Sequence, residues 1–376
     1  MIIKNGLVFT PQGFEKRDIQ IDASHRIAAQ ISPSDTDIFD AVGCYVVPGF
    51  IDIHTHGAVG ADFCDADPEG LSRIAAYFKS CGITSFCPTS MTLPEKRLKK
   101  IFASASRMIE AQSNKDVKTQ AKVVGINMEG PFIATSKKGA QKADYIRNPD
   151  SAMFFRLFHG CQDQIKFVTL APELPGSLEF IDAVKNFVSV SLGHSACNYD
   201  TAKDAFSHGA NHATHLFNAM EPLFHRNPGI PGAAADACAA SSDNFIELIC
   251  DGIHIHPSMV RNAFRLFGED HVILISDSMR ACGMEDGTYE LGGQDVHKHG
   301  FHATLADGTL AGSVTNLFVC FKNAVSFGVP LHAALKAVTI NPAKSLHMEN
   351  EIGQLSPGMA GDVLVLSRDL ELLKLF

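Results

Sequence analysis

The chain has 376 residues, a formal net charge of −9, and 45% apolar against 19% charged residues. Those proportions furnish a large core and exclude a disordered or fibrous chain, and the length suits one large α/β domain or a barrel with a modest accessory domain. The acidic balance, the lack of any basic run and the lack of an apolar stretch of membrane-spanning length argue against nucleic acid and membrane, so a small-molecule partner is expected.

Met1 to Gly6 reads as a first strand and turn rather than a secretory leader, and Met1 to about Val47 holds short strand-like pieces broken by Gly6, Pro11, Gly13 and the polar Ser32 to Asp37 stretch. Eight β-rich runs follow, near 46–56, 83–89, 122–129, 165–171, 187–194, 210–216, 245–254 and 272–277. Several are almost continuously apolar, as parallel strands covered on both faces should be. Segments with apolar residues at helical spacing lie between them: Glu69 to Phe78, Leu93 to Gln112 and Asp200 to Phe206. Eight strands alternating with helices predict an α/β fold of the (β/α)8 type, a TIM-like barrel over residues 48–342. The turn at Gly353 to Gly361 leads into a last apolar strand, Val363 to Leu366. Neither end can bury a core alone, so residues 1–47 and 343–376 are expected to form one small β domain. The ten cysteines (44, 64, 81, 87, 161, 197, 238, 250, 282 and 320) contain no C-x-x-C pair and sit mostly in apolar runs. They read as reduced, buried thiols of a cytoplasmic protein.

A barrel of this kind presents catalytic groups at the C-terminal ends of its strands. Metal-capable residues stand at those ends: His54 and His56 after the first, Glu129 in the third, His194 after the fifth, His212 and His215 at the sixth, Asp251 and His254 after the seventh, and Asp277 after the eighth. Side chains two apart on a strand share a face, so His54 and His56 point the same way, whereas His212 and His215 cannot both point inward. His215 is preferred as the inward residue and His212 as a packed one. Imidazoles and carboxylates suit zinc, iron, cobalt or nickel, and an ion with an open position acidifies water toward a pKa of about 7. A carboxylate beside it can take the water's proton and pass it to a leaving amine, and Asp277 is the candidate. His254 would orient the substrate or stabilise a developing oxyanion. Asp52 shares the face of His54 and His56 but lies deeper, as a hydrogen-bonded buried carboxylate. His208, His256, His271, His297, His299 and His302 have no matching context and read as surface or structural.

These motifs together resemble the amidohydrolase superfamily, and within it the N-acetylglucosamine-6-phosphate deacetylases. The similarity runs through Pro48-Gly49-Phe50-Ile51-Asp52-Ile53-His54-Thr55-His56-Gly57, Met128-Glu129-Gly130-Pro131-Phe132, Gly193-His194-Ser195, Thr214-His215-Leu216-Phe217-Asn218-Ala219-Met220, Asp251-Gly252-Ile253-His254, Ser276-Asp277-Ser278-Met279 and Gly308-Thr309-Leu310-Ala311-Gly312-Ser313. The Glu-Gly-Pro and His-Leu-Phe-Asn-Ala-Met elements are specific to the deacetylases; His-x-His is common to the superfamily. The resemblance implies Glu129, His194 and His215 as principal metal ligands, Asp277 as general base and acid, and a second ion at His54 and His56 with Glu129 bridging. One or two divalent ions per subunit, zinc or iron or similar, are therefore expected.

It further implies that Ala140, Gln141, Asn218, Ala219, His254, Leu310, Ala311 and Gly312 contact an amino-sugar phosphate. Arg226 matches the family's phosphate-binding arginine, on a loop that can reach a neighbouring subunit, so a homodimer is implied. A histidine often stands where this chain has Gln141, and Lys137 and Lys138 read equally well as exposed charges. The expected reaction is hydrolysis of N-acetylglucosamine 6-phosphate to glucosamine 6-phosphate and acetate. Alternatives are the galactosamine epimer, a cyclic-amide hydrolase of the same superfamily, and a non-catalytic sugar-phosphate sensor. The cyclic-amide enzymes usually bridge two metals with a modified lysine from strand four, whereas the lysine here, Lys166, lies at that strand's start.

Overall fold

The computed structural model describes residues 1–32, 36–113 and 119–376. Of the polar Ser32 to Asp37 stretch, residues 33–35 lie outside the described residues. Eight parallel strands build the centre: β1 Phe50–Thr55, β2 Ile83–Ser90, β3 Ile126–Phe132, β4 Ile165–Leu170, β5 Ser189–Leu192, β6 His212–Ala213, β7 Phe245–Ile249 and β8 Val272–Ile275. Each pairs with the next in sequence order. The seam between β8 and β1 is tied just beyond their ends, where Asp277 N–H donates to His54 O at 2.9 Å and His56 N–H to Ser278 O at 2.8 Å. The arrangement is the expected (β/α)8 barrel.

Helices cover the outside: α1 Pro68–Ser80, α2 Glu95–Ser113, α3 Ser151–Gly160, α4 Ser177–Val184, α5 Tyr199–His208, α6 Gly229–Ala240, α7 Pro257–Phe267 and α8 Leu317–Ser326. The α1 helix shows why they form where they do. Asp67 caps it by accepting the N–H groups of Glu69 and Gly70, Pro68 supplies the first turn, and Leu71, Ile74, Ala75 and Phe78 fall on one buried stripe. Inside the barrel, Ile51, Ile53, Phe167, Phe245, Ile249, Ile273 and Ile275 pack together, closed below by Ala343, Leu346 and Ile352. Above that plug the polar side chains of the rim gather, while His212 and Glu247 lie buried among the plug's own residues.

Several boundaries differ from the sequence reading: the 122–129 run is interrupted after Val123 and resumes as β3 at Ile126, and three others have a clear local cause. The 46–56 run divides at Gly49, where an added Cβ would stand 2.1 Å from Thr84 Oγ1; its first part, Tyr45–Pro48, joins another sheet. The sixth strand is only two residues long because the chain turns toward the left-handed region at His215. The seventh stops at Ile249, since Asp251 Oδ1 gathers the N–H groups of Ile253 and His254 into a turn.

Beside the barrel, a five-stranded sheet pairs Val363–Leu366 from one end of the chain with Tyr45–Pro48 from the other, and a three-stranded sheet centres on Ile2–Lys4. The Lys79 ammonium, 2.6 Å from Asp362 Oδ1, joins that five-stranded sheet to α1. A feature absent from the sequence reading follows β8: an antiparallel sheet of Gly287–Leu291, Gln294–His299 and His302–Thr304 that stands over the barrel's rim. Among the described residues, no helix is long and apolar enough to cross a membrane.

Candidate metal centre

The rim residues reach the axis because the backbone bends sharply as each strand ends. His194, His215 and Asp277 each lie two residues past their strand with φ of 48°, 29° and 47°, and Phe217 and Ala219 are also left-handed. Non-glycine residues pay about 1–3 kcal/mol for such conformations, which persist where the surroundings over-determine them. His54 closes β1 from within, His56 follows it, and Glu129 rises from the middle of β3.

Two groups of candidate ligand atoms result, Glu129 with His194 and His215, and His54 and His56 with Asp277, each with its ligand atoms within 4.8 Å of one another. Glu129 Oε1 lies 3.0 Å from Nε2 of both His194 and His215, whose Nε2 atoms are 3.1 Å apart. The same oxygen is 3.5 Å from His54 Nε2, and Glu129 Oε2 is 3.5 Å from His56 Nε2, so one carboxylate faces both groups. Asp277 Oδ1 completes the second group at 3.2 Å from His56 Nε2 and 3.6 Å from His54 Nε2.

The outer nitrogens of three rings are committed elsewhere. Nδ1 of His54 meets Glu247 Oε2 at 3.0 Å, that of His56 meets Thr89 O at 3.1 Å, and that of His194 meets Lys137 O at 2.8 Å. An acceptor at Nδ1 keeps the proton there and turns the Nε2 lone pair toward the centre. Among the described residues, His54 Nε2 and Asp277 Oδ1 are buried yet have no hydrogen-bond partner. Buried polar atoms are rarely left so, and three or four nitrogen and oxygen donors converging on one space fit a divalent cation of the zinc or iron type.

The electrostatics agree. Burial works against a charge on His54, but Glu247, Glu129 and Asp277 override it and push the ring up to about 10. His56 is raised in the same way, burial opposed by Asp277 and Glu129. Glu129 stays well below the usual carboxylate range although buried, because His194, His215 and His54 stand against it. Asp277 is lowered despite its burial by His56 and His54. The carboxylates thus favour protons on His54 and His56 in the metal-free chain, and a cation would take the place of those protons.

A cavity of about 320 Å³ opens above the two groups, lined by His56, Glu129, His194, His215, Asp277 and His254 together with Ala140, Gln141, Asn218, Ala219, Leu310, Ala311 and Gly312. Of the residues expected to hold the metal or the substrate, His54, buried beneath the cavity, and Arg226 are the two outside its wall. Arg226 is exposed, with Nη1 donating to His225 Nε2 at 2.7 Å, and lies outside this cavity of its own subunit. His254 is held from both sides, by Asp251 Oδ2 at 2.7 Å and Ala311 O at 2.9 Å; burial disfavours its charge, but the Asp251 carboxylate raises it above an ordinary histidine. Gly312 passes so near Asp277 that a Cβ would stand 2.9 Å from the Asp277 carbonyl oxygen, so only glycine fits there without a shift.

Outside the centre, His212 packs between Phe167 and Phe245, and burial pushes it down to about 4. Asp52 accepts the N–H groups of His54 and Ser276, both at 3.3 Å, and burial raises it to about 7. Sequence reasoning missed Glu247, 1% exposed on β7, which holds His54 and also accepts the His215 N–H at 3.2 Å. Its signal was a lone carboxylate inside the apolar run Phe245-Ile246-Glu247-Leu248-Ile249. The walls contributed by Met91 and Leu291 were likewise not foreseen.

Residues 45–375 match the family model described as the amidohydrolase family. An N-acetylglucosamine-6-phosphate deacetylase of Lysinibacillus sphaericus is 35% identical over 380 residues, covering 98% of this chain and 94% of its own. An N-acetylgalactosamine-6-phosphate deacetylase of Escherichia coli O157:H7 is 33% identical, covering 94% of this chain and 92% of its own. Among solved structures, a variant of the Mycobacterium smegmatis N-acetyl-D-glucosamine-6-phosphate deacetylase in complex with N-acetyl-D-glucosamine-6-phosphate superposes with a TM-score of 0.91 at 30% identity, covering 100% of this chain and 97% of that one.

Proposed function

The chain belongs to the amidohydrolase family, and from that premise we propose that it is a metal-dependent deacetylase that hydrolyses N-acetylglucosamine 6-phosphate to glucosamine 6-phosphate and acetate. The observation that carries the reading is the set of imidazoles whose Nδ1 atoms are tied back to Glu247, Thr89 and Lys137, leaving Nε2 atoms to converge with Glu129 and Asp277 under an open cavity. Glu129, His194 and His215 would hold the principal ion; His54, His56 and Asp277 would hold or face a second. A divalent ion, when bound there, supplies Lewis acidity that acidifies water and polarises a carbonyl oxygen.

The chain's own groups do the rest. Asp277, at the axis, takes a proton from the attacking water as the water's oxygen bonds to the acetyl carbon. As the C–N bond breaks it returns that proton to the departing amine. His254, whose charged form the Asp251 carboxylate favours, stands on the cavity wall where the oxyanion or sugar would lie. Asn218, Ala219 and the Leu310 to Gly312 segment shape the pocket for the acetamide and ring, with Ala140 and Gln141 opposite. Arg226, exposed beside Leu223 and Phe224 at 39% and 57% exposure, would serve the phosphate of a neighbouring subunit in a homodimer.

We assign residues 1–47 with 343–376 to the small β domain and 48–342 to the barrel, with the helix Ile340–Ser345 spanning the boundary and Ala343, Leu346 and Ile352 reaching into the barrel's floor. The ten free thiols, eight of them buried, suit the reducing cytoplasm. Zinc or iron is the expected ion. The test is acetate release from the 6-phosphates of N-acetylglucosamine and N-acetylgalactosamine by protein loaded with zinc or iron. Release from the gluco sugar with the higher kcat/KM supports the proposal; preference for the galacto sugar reassigns the substrate, and no release under either metal overturns it.

A further inference from the structure

Gln141 is 2% exposed, and its amide is used at both ends inside the protein. Oε1 accepts the Thr92 backbone N–H at 2.7 Å, while Nε2 donates to Glu129 Oε2 at 2.6 Å. A backbone N–H can only donate, so the amide has one admissible orientation and its donor must face the carboxylate. The terminal torsion of a glutamate is broad and roughly two-fold, so nothing in Glu129 itself selects the plane of its carboxylate. The bond from Gln141 does: with Oε2 held on the Gln141 and His56 side, Oε1 falls between the Nε2 atoms of His194 and His215.

The segment that carries Gln141 is braced on two sides. Lys137 O accepts from His194 Nδ1 at 2.8 Å, and Ala140 O accepts from Gln294 Nε2, on the antiparallel sheet after β8, at 2.5 Å. One short stretch therefore sets the rotation of a carboxylate and the tautomer of a neighbouring imidazole, both aimed at the same space. Groups that orient ligands in this way typically change metal affinity or activity by about 10–100-fold when removed.

We propose that Gln141 is a positioning residue of the metal centre, which fixes the Glu129 carboxylate so that Oε1 serves the His194 and His215 side and Oε2 faces His56. The proposal rests on the metal-centre reading above and deepens it. It also separates Gln141 from the remainder of the cavity wall, since a replacement should act on the ion before it acts on the sugar.

The experiment is zinc titration of chelator-stripped wild-type, Gln141→Leu and Gln141→Asn proteins against a fluorescent chelator. It is paired with melting curves of the stripped proteins and visible spectra of the cobalt(II) forms. Gln141→Asn keeps a polar amide but withdraws it by one methylene, so it provides a folded comparison if the leucine variant fails to fold. The expected result is zinc affinity about 10–100-fold weaker in the folded variants, with an altered cobalt spectrum. Unchanged zinc affinity and a superimposable cobalt spectrum would overturn the positioning role, whatever the variants do to the melting temperature of the stripped protein. Failure of the wild type itself to bind either ion would instead bring down the metal-centre reading.

Discussion

Glu247 offers the sharpest quantitative test, because it does not itself line the cavity and yet bears on the charge of His54. Burial alone would keep His54 neutral; Glu247, Glu129 and Asp277 together raise it from 6.5 to about 10. The net rise corresponds to about 5 kcal/mol, at about 1.36 kcal/mol per unit, and the three carboxylates together supply more than that because they also offset the burial. The direct contact from His54 Nδ1 to Glu247 Oε2, 3.0 Å long and fully buried, accounts for the largest share. Glu247→Gln keeps the volume and an acceptor for the His215 N–H while removing the charge, so the expected loss in the metal-free protein is about 1.5–3 kcal/mol, the range for a hydrogen bond to a charged group. The folded pKa lies above the unfolded value, so this stabilisation is fully present below about pH 6.5 and lost as the pH rises through about 10. Urea unfolding of chelator-stripped wild type and variant at pH 6, 8 and 10 should show the full deficit at pH 6 and a shrinking one toward pH 10. A deficit of the same size at every pH would refute the charge argument and reduce Glu247 to a packing residue.

Asp277→Asn should lower kcat/KM by about 10²–10⁴ while zinc bound through Glu129, His194 and His215 is retained; turnover within tenfold of wild type would remove Asp277 from the proton transfer. Zinc binding near pH 7 should release protons, since His54 and His56 titrate above their ordinary value in the metal-free chain and must be neutral to ligate. Apparent affinity should then strengthen as the pH rises, and calorimetry in buffers of different ionisation enthalpy measures the release. No released proton would mean that these two rings are not displaced by the ion.

The barrel was legible because its strands are near-continuous apolar runs and because metal-capable residues recur at matching ends, a regularity of the fold itself. His54, His56, Glu129, His194, His215 and Asp277 could be placed on one rim by that regularity alone. Strand alternation separates His215 from His212 only in part, because the strand stops at Ala213 and a left-handed turn carries His215 inward. Such turns leave no periodic trace in non-glycine residues. Glu247 and Gln141 were harder for another reason, since their meaning lies in partners 193 and 12 residues away rather than in their neighbours. The sheet after β8 was passed over although Gly292-Gly293 between Leu291 and Gln294 is a hairpin signal, because its strands are largely exposed and carry little apolar pattern.

The seam between β8 and β1 gives the two candidate ion sites different relations to the assembly of the chain. Glu129, His194 and His215 come from strands β3, β5 and β6 within one continuous arc of the sheet, and all three exist once residue 215 has been synthesised. The His54, His56 and Asp277 group spans the closure itself, between the first barrel strand and the last. An ion in the arc could be acquired by a barrel still open, whereas an ion at the seam is available only to a ring that has shut, and once bound it would act as the clasp.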